Sequence, residues 1–466
     1  MKTLPSLSLA GIIITSLLGC QSSNLQYQDN KTSHQLQQSA VNSNLGYDIV
    51  ESLTVEVGPR LAGGKNDLVA VKWAEDKFKS LGYDKVYKEP VKVPVWSRGD
   101  ASAEVVSPFP QPLVITALGG SVATPENGLT AEIVRFHTLA DLKKAEPAQV
   151  KGKIVFIDQK TERHKAGNGY GKSVGGRSKG AIAAAKKGAV AIVIRSIGTD
   201  HDRMAHTGAM RYKDGIKKIP AAALSAPDAN QLNAILKRDK KVVISLKLSP
   251  QHLGYSTSYN VIGEIKGQNK PEEIVLIGAH LDSWDEGTGA LDDGAGVSIV
   301  MAAGKHILDL PTRPARTVRV VLYAAEELGL IGGKQYVKTH KNELNNHYIA
   351  AESDFGAGYI YRIDVNVAPQ KFEQVKNELS SMKINGVELG NNEAGGGPDV
   401  SMMPSLGVPV ASLRQDGRDY FDYHHTPNDT IDKIDPKALA QNIAAYTQFA
   451  YLMAQSTTDL RPIKKK

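Results

Sequence analysis

The chain of 466 residues has one cysteine, Cys20. A disulfide within the chain is therefore excluded, and so is a metal site built on several thiolates. Any metal must be held by histidine and carboxylate. Aromatic residues make up 6% of the sequence and show no stacking motif for nucleic acid. A Cys/His finger and a helix-turn-helix pattern are also missing, so the formal charge of +7 is not read as a nucleic-acid footprint. That charge is dispersed, apart from Lys464-Lys465-Lys466, and suits an anionic membrane surface or acidic substrates. No apolar run reaches the ~20 residues that span a bilayer, and there is no internal repeat. What is present is a 41% apolar chain, long enough for two or three domains and a large core.

The cysteine has a context. Lys2 begins a short basic region, Leu7 to Leu18 is mostly apolar, and Leu17-Leu18-Gly19-Cys20 follows. This resembles a bacterial lipoprotein signal, which implies that Cys20 is lipidated and becomes the mature N-terminus. Gln21 in place of Asp implies sorting to the outer membrane, facing the periplasm or the cell surface. The alternative is an ordinary secretory peptide with an incidental cysteine. Residues 1–20 are then a signal, and 21–44, rich in Gln, Ser and Asn, a flexible tether.

Helical periodicity begins at Leu68 and runs through Val71, Trp73, Ala74, Phe78 and Leu81, with Gly82 as the stop. Short β-type runs with prolines follow from Pro90 to Pro112. A strand at 152–158, a helix at 178–187, a strand at 189–194 and a further unit from Ile219 give an α/β block. It resembles a protease-associated domain inserted at 96–252. Its His137, His164, His201 and His206 lie in polar loops and read as solvated or capping residues rather than ligands. Strands at 274–277, 318–323, 348–351 and 408–413 alternate with helices, the last opening at Asp435-Pro436. The expected fold is an α/β sheet with helices on both faces, formed by 45–95 and 253–458 and followed by a basic tail, 459–466. Ligands bind such sheets at the carboxyl ends of strands.

The chemistry-bearing residues cluster at those ends. His280 follows Ile274-Val275-Leu276-Ile277 and can offer a neutral ring nitrogen to a divalent cation. Asp282 can accept its other N–H and fix the tautomer. Alone, that pair is equally a strand-end histidine with a capping aspartate. Asp292-Asp293-Gly294-Ala295-Gly296 opens a helix. One aspartate suffices as an N-cap, which leaves Asp292 free to bridge two cations. Glu326 and Glu327 follow a strand and point apart. Glu327 is the expected ligand and Glu326 the general base, raised by burial and lowered by nearby cations. Asp354 is the expected ligand after the next strand, with Glu352 packed away from it. Of His424 and His425 in a late loop, His425 is chosen as ligand, with Asp429 orienting the loop.

These segments, together with Tyr259-Asn260-Val261-Ile262-Gly263-Glu264 and Gly58-Pro59-Arg60-Leu61-Ala62-Gly63, resemble the M28 metallopeptidase family in its carboxypeptidase Q-like branch over roughly 45–455. The resemblance implies a zinc-peptidase-type mixed sheet and two zinc ions per chain. One would be held by His280, Asp292 and Asp354, the other by Asp292, Glu327 and His425. It also implies a dipeptide or short-peptide substrate, a homodimer, and a cis peptide between Asp292 and Asp293. An aminopeptidase is the alternative within the family. A glutaminyl cyclase-like acyl transferase or a non-catalytic peptide-binding lipoprotein are the alternatives outside that activity.

Overall fold

Along Lys270–His280, Val275, Ile277 and Ala279 enter one hydrophobic core while Ile274 and Leu276 enter another. A period of two that is apolar on both sides is what a central strand covered on both faces requires. In the computed structural model, which describes residues 28–239 and 241–463, this strand lies inside an eight-stranded mixed sheet. Its order is Lys85–Ser97, Gln251–Ile265, Arg316–Tyr323, Lys270–His280, His347–Glu352, Val410–Gln415, Ile360–Asn366 and Glu388–Leu389. The helices Leu45–Glu56, Ala295–Leu308 and Pro436–Gln455 pack on one face. Ile331–Thr339 covers the other, with Tyr336 in its core.

Register matters most for function. Lys270–His280 runs parallel to both neighbours, with His280 opposite Tyr323 and Gly278 opposite Glu352. The three strands therefore end nearly level, and the residues that follow each of them emerge along one edge.

A second eight-stranded sheet is built wholly from 101–248, in the order Gln111–Leu113, Ala101–Ser107, Val243–Leu248, Leu129–Phe136, Ile154–Ile157, Ala191–Arg195, Ala221–Leu224 and Ile115–Ala117. The helices Asn168–Lys186 and Ala226–Arg238 cover its two faces. The chain enters and leaves this unit through adjoining strands of the first sheet, since Ser97 is paired with Gln251. Trp284 and Leu61 of the first unit are built into its core.

Several boundaries differ from the sequence reading. Residues 28–41, expected in the tether, form a helix with Ser33, Leu36, Gln37 and Ala40 buried. Its docking stripe is half polar, so hydrophobic periodicity does not reveal it. Gln448 Nε2 donates to Ser33 Oγ at 3.1 Å, and the Ser39 hydroxyl meets His306 Nδ1 at 3.2 Å. Residues 459–463, expected as tail, are packed back, with Leu460 buried and its carbonyl accepting from Ala368 N at 2.8 Å. The helix expected at 178–187 begins ten residues earlier, at Asn168. The final helix opens as expected, Asp435 accepting from Lys437 N at 2.9 Å with Pro436 in the first turn. Among the described residues, no helix is long and apolar enough to cross a membrane. Cys20 and the three terminal lysines lie outside the described residues.

Candidate metal centre

The level strand ends bring the expected residues together. His280 Nε2 lies 3.1 Å from Asp292 Oδ1 and 3.6 Å from Asp354 Oδ1. His425 Nε2 lies 3.2 Å from the other Asp292 oxygen, Oδ2, and 3.0 Å from Glu327 Oε2. Asp292 thus stands between two imidazoles and is shared by two groups of metal-competent donors, His280–Asp292–Asp354 and Asp292–His424–His425, the second of which Glu327 adjoins through His425. His424 stacks on His425 with ring centroids 3.5 Å apart, and its Nε2 is 3.6 Å from Asp292 Oδ2. The two rings differ in their outer nitrogens. His425 Nδ1 is 3.3 Å from the carbonyl of Thr207, whereas His424 Nδ1 is buried without a hydrogen-bond partner among the described residues. A metal-bound imidazole normally donates its second N–H, which favours His425 as ligand.

The paired acids divide their work. Asp293 accepts from His280 N at 3.1 Å and from Gly296 N at 3.0 Å, tying the strand end to the start of Ala295–Leu308. Asp292 is left to face the histidines, and the peptide between the two is cis. Asp429 orients this turn by accepting from Leu291 N at 2.6 Å and Asp292 N at 3.1 Å. At the other pair, Glu327 Oε2 accepts from Trp284 Nε1 at 2.6 Å. Glu326 donates its backbone N–H to Asp282 Oδ1 at 3.0 Å, and its carboxylate accepts no hydrogen bond among the described residues. Asp282 therefore holds the Glu326 turn. The nearer partner of His280 Nδ1 is the Asp282 carbonyl, at 3.0 Å, with the carboxylate at 3.5 Å. Fixing of the His280 tautomer, expected from the Asp282 carboxylate, thus falls to the backbone. Glu352 is buried beneath the site, as expected, accepting from Asp399 N at 2.7 Å.

This donor set fits a divalent cation. Asp282 Oδ2, Asp292 Oδ2 and Glu327 Oε1 are buried with no hydrogen-bond donor among the described residues. Unpaired carboxylate oxygens in such a place are costly unless a cation takes them. Imidazole nitrogen with carboxylate oxygen is the mixture that zinc accepts. Burial, then the charge of Asp354, pushes the Glu326 carboxyl well above its ordinary value. Burial disfavours charge on His280, yet Asp354, Asp282 and Asp292 outweigh it and hold its pKa well above 6.5.

A pH effect on the metal-free protein follows. Burial pushes Asp399 and Asp429 up to about 7, from 3.8. The folded state then holds protons that the unfolded chain has released. The resulting stability is complete below pH 3.8 and is lost as pH rises through about 7. Glu326, Glu327 and Asp293, also raised by burial, act in the same direction. His424 and His425, lowered by burial, oppose it only up to about 6.5. The Tm of chelator-stripped protein should fall between pH 6.5 and 8 and recover when zinc is added. A Tm that rises over that interval in the stripped protein would contradict this electrostatic picture.

The sequence pattern of peptidase family M28 matches residues 260–450. Carboxypeptidase Q of Bos taurus is 36% identical over 414 residues, spanning 88% of this chain and 85% of that protein. The chain belongs to peptidase family M28. A crystal structure of a peptidase M28 precursor from Shewanella amazonensis SB2B is 67% identical, covers 95% of this chain and 100% of that one, and superposes with a TM-score of 0.94. BSAP, a zinc aminopeptidase from Bacillus subtilis, shares the fold at 21% identity, with a TM-score of 0.62 over 90% of this chain and 98% of its own.

The M28 peptidase also uses residues to which sequence reasoning gave no role. Arg60 is fully buried and donates to the carbonyls of Leu281, Thr288 and Gly289 at 2.6, 2.7 and 3.0 Å, bracing the loop after His280. From the second unit, Arg177 Nη1 comes within 3.3 Å of His425 Nδ1, and its Nη2 donates to the Tyr170 hydroxyl at 2.6 Å. The Tyr170 ring stacks on Phe421 at 4.8 Å and meets His424 edge-on at 5.2 Å. These contacts join segments some 250 positions apart, and nothing in the local sequence announces them. His206, read above as a solvated or capping residue, is instead buried; it joins neither group of donors but bonds to the carbonyl of His424.

Proposed function

We propose that this peptidase is a dizinc exopeptidase of the carboxypeptidase Q kind, hydrolysing dipeptides or short peptides. The observation that carries the reading is the position of Asp292 between His280 and His425, with the free carboxylate of Glu326 on the adjoining turn. His280, Asp292 and Asp354 would hold one ion, and Asp292, Glu327 and His425 the other. When bound, the zinc ions supply Lewis acidity to the scissile carbonyl and make water more acidic. Glu326 takes a proton from the attacking water and returns it to the departing amine. Asp282 holds the turn that aims Glu326.

The greater identity to carboxypeptidase Q favours that specificity over the aminopeptidase alternative. A glutaminyl cyclase-like transferase would use a single zinc, and the two groups of donors argue against it. The test is a dipeptide library blocked at either terminus, assayed with and without chelator, beside elemental analysis of metal per chain. Two zinc ions and chelator-sensitive cleavage that survives N-blocking but not C-blocking support the proposal. The reverse blocking pattern means an aminopeptidase. Loss under both blocks means a strict dipeptidase, and no hydrolysis at all removes the reading.

Anchoring through a lipid on Cys20 belongs to the same proposal, supported by the Leu17-Leu18-Gly19-Cys20 pattern. Cys20→Ser should move the protein from the membrane fraction to the soluble fraction. Unchanged partitioning of this variant would remove the anchor.

A further inference from the structure

Residues 205–208 reach out of the second unit and run beside His424–His425. Thr207 N donates to the His425 carbonyl at 3.0 Å, and His425 Nδ1 faces the Thr207 carbonyl at 3.3 Å. His206 makes the third link. Its Nδ1 donates to the His424 carbonyl at 2.8 Å, because a carbonyl can only accept. Its Nε2 lies 2.7 Å from Asp200 Oδ1, and its own N–H donates to Ser196 Oγ at 2.8 Å. The ring is 1% exposed. It fills the space that a side chain at Gly198 would need, since a Cβ there would come within 2.2 Å of His206 Nε2. The second unit thus builds a socket for this one imidazole.

The loop it grips needs holding. His425 has a φ of 62°, a region that side-chain-bearing residues seldom occupy. In that conformation its Nε2 faces both Asp292 and Glu327. Gly208, with φ 126°, lets the backbone close over the ring, where a Cβ would lie 2.6 Å from His425 Nδ1.

We propose that His206, aligned by Asp200, is a positioning residue for the ion assigned to Asp292, Glu327 and His425, so that the inserted unit sets the zinc affinity of the catalytic one. This rests on the dizinc reading above. The test measures both zinc dissociation constants of the full-length protein by competition with a chromogenic chelator. His206→Ala should weaken one ion by up to ~10-fold, the low end of the ~10–100-fold seen when a direct partner of a ligand is removed, and leave the other unchanged. His206→Asn, whose amide nitrogen falls near the Nδ1 position, should recover most of the loss. Both ions held at wild-type affinity in His206→Ala would overturn the proposal. So would equal weakening of both, or an Asn variant no better than Ala. Should His206→Ala fail to fold, Asp200→Asn takes its place, with several-fold weakening of the same ion expected and an unchanged affinity overturning the proposal. Wild-type protein that binds fewer than two ions would instead defeat the dizinc reading itself.

Discussion

Glu326→Gln is expected to lower kcat by ~10²–10⁴-fold or more while the protein keeps its full zinc content. The expectation comes from how the two glutamates are held. Glu327 is engaged by Trp284 and His425, whereas the Glu326 carboxylate has no partner among the described residues. Its backbone is fixed by Asp282 on one side and by Gly329 N and Leu330 N, which donate to its carbonyl at 2.7 and 2.8 Å, on the other. Glutamine preserves the volume and this backbone pinning but cannot take a proton. KM should change little, since the loss falls on the transition state. Elemental analysis and steady-state kinetics on the same preparation check the prediction. A variant that turns over at the wild-type rate would show that another group is the base. One that loses zinc would show that Glu326 is a ligand.

Asp292→Asn should have the second large effect and a different signature: zinc content falling from two ions to fewer than one, with activity down by ~10³-fold or more. Losing Lewis-acid stabilisation of several kcal/mol corresponds to that factor. Among the described residues Asp292 is the one carboxylate within reach of both His280 and His425, so its removal weakens both groups of donors together. Its neighbour is the control. Asp293 accepts from His280 N and Gly296 N and faces neither imidazole through its carboxylate. Asp293→Asn should therefore lower Tm with a far smaller loss of zinc. Equal zinc loss in the two variants would mean that the division of labour between them is wrong.

That division bears on how far the site is legible in the sequence. Two acids before a Gly-Ala-Gly helix start are more than capping needs, and the structure gives the surplus acid to the histidines. The strands carrying His280 and Asp354 were legible because each is a short apolar run on both faces, which only a buried sheet accommodates. The helix at 28–41 was not, because half of its buried stripe is Ser33 and Gln37, whose partners come from distant segments. The roles of Arg60, Trp284 and His206 were equally invisible. Each makes a bond across a gap of between 43 and 229 positions, and hydrogen-bond partners at that separation leave no periodic trace.

The sequence by itself determined the chemistry available: no thiolate pair, histidines and acids at strand ends and in a late loop, and two adjacent glutamates after a strand. Only the tertiary structure decided which of the adjacent pairs does what. It set His425 rather than His424 against Glu327 and nearer to Asp292, with backbone and side chains from the inserted unit beside it. Residue type and local spacing fix what a side chain can donate or accept. Which nitrogen or oxygen finds a partner depends on parallel strand register and on the docking of two sheets, and both are set by packing over the whole chain.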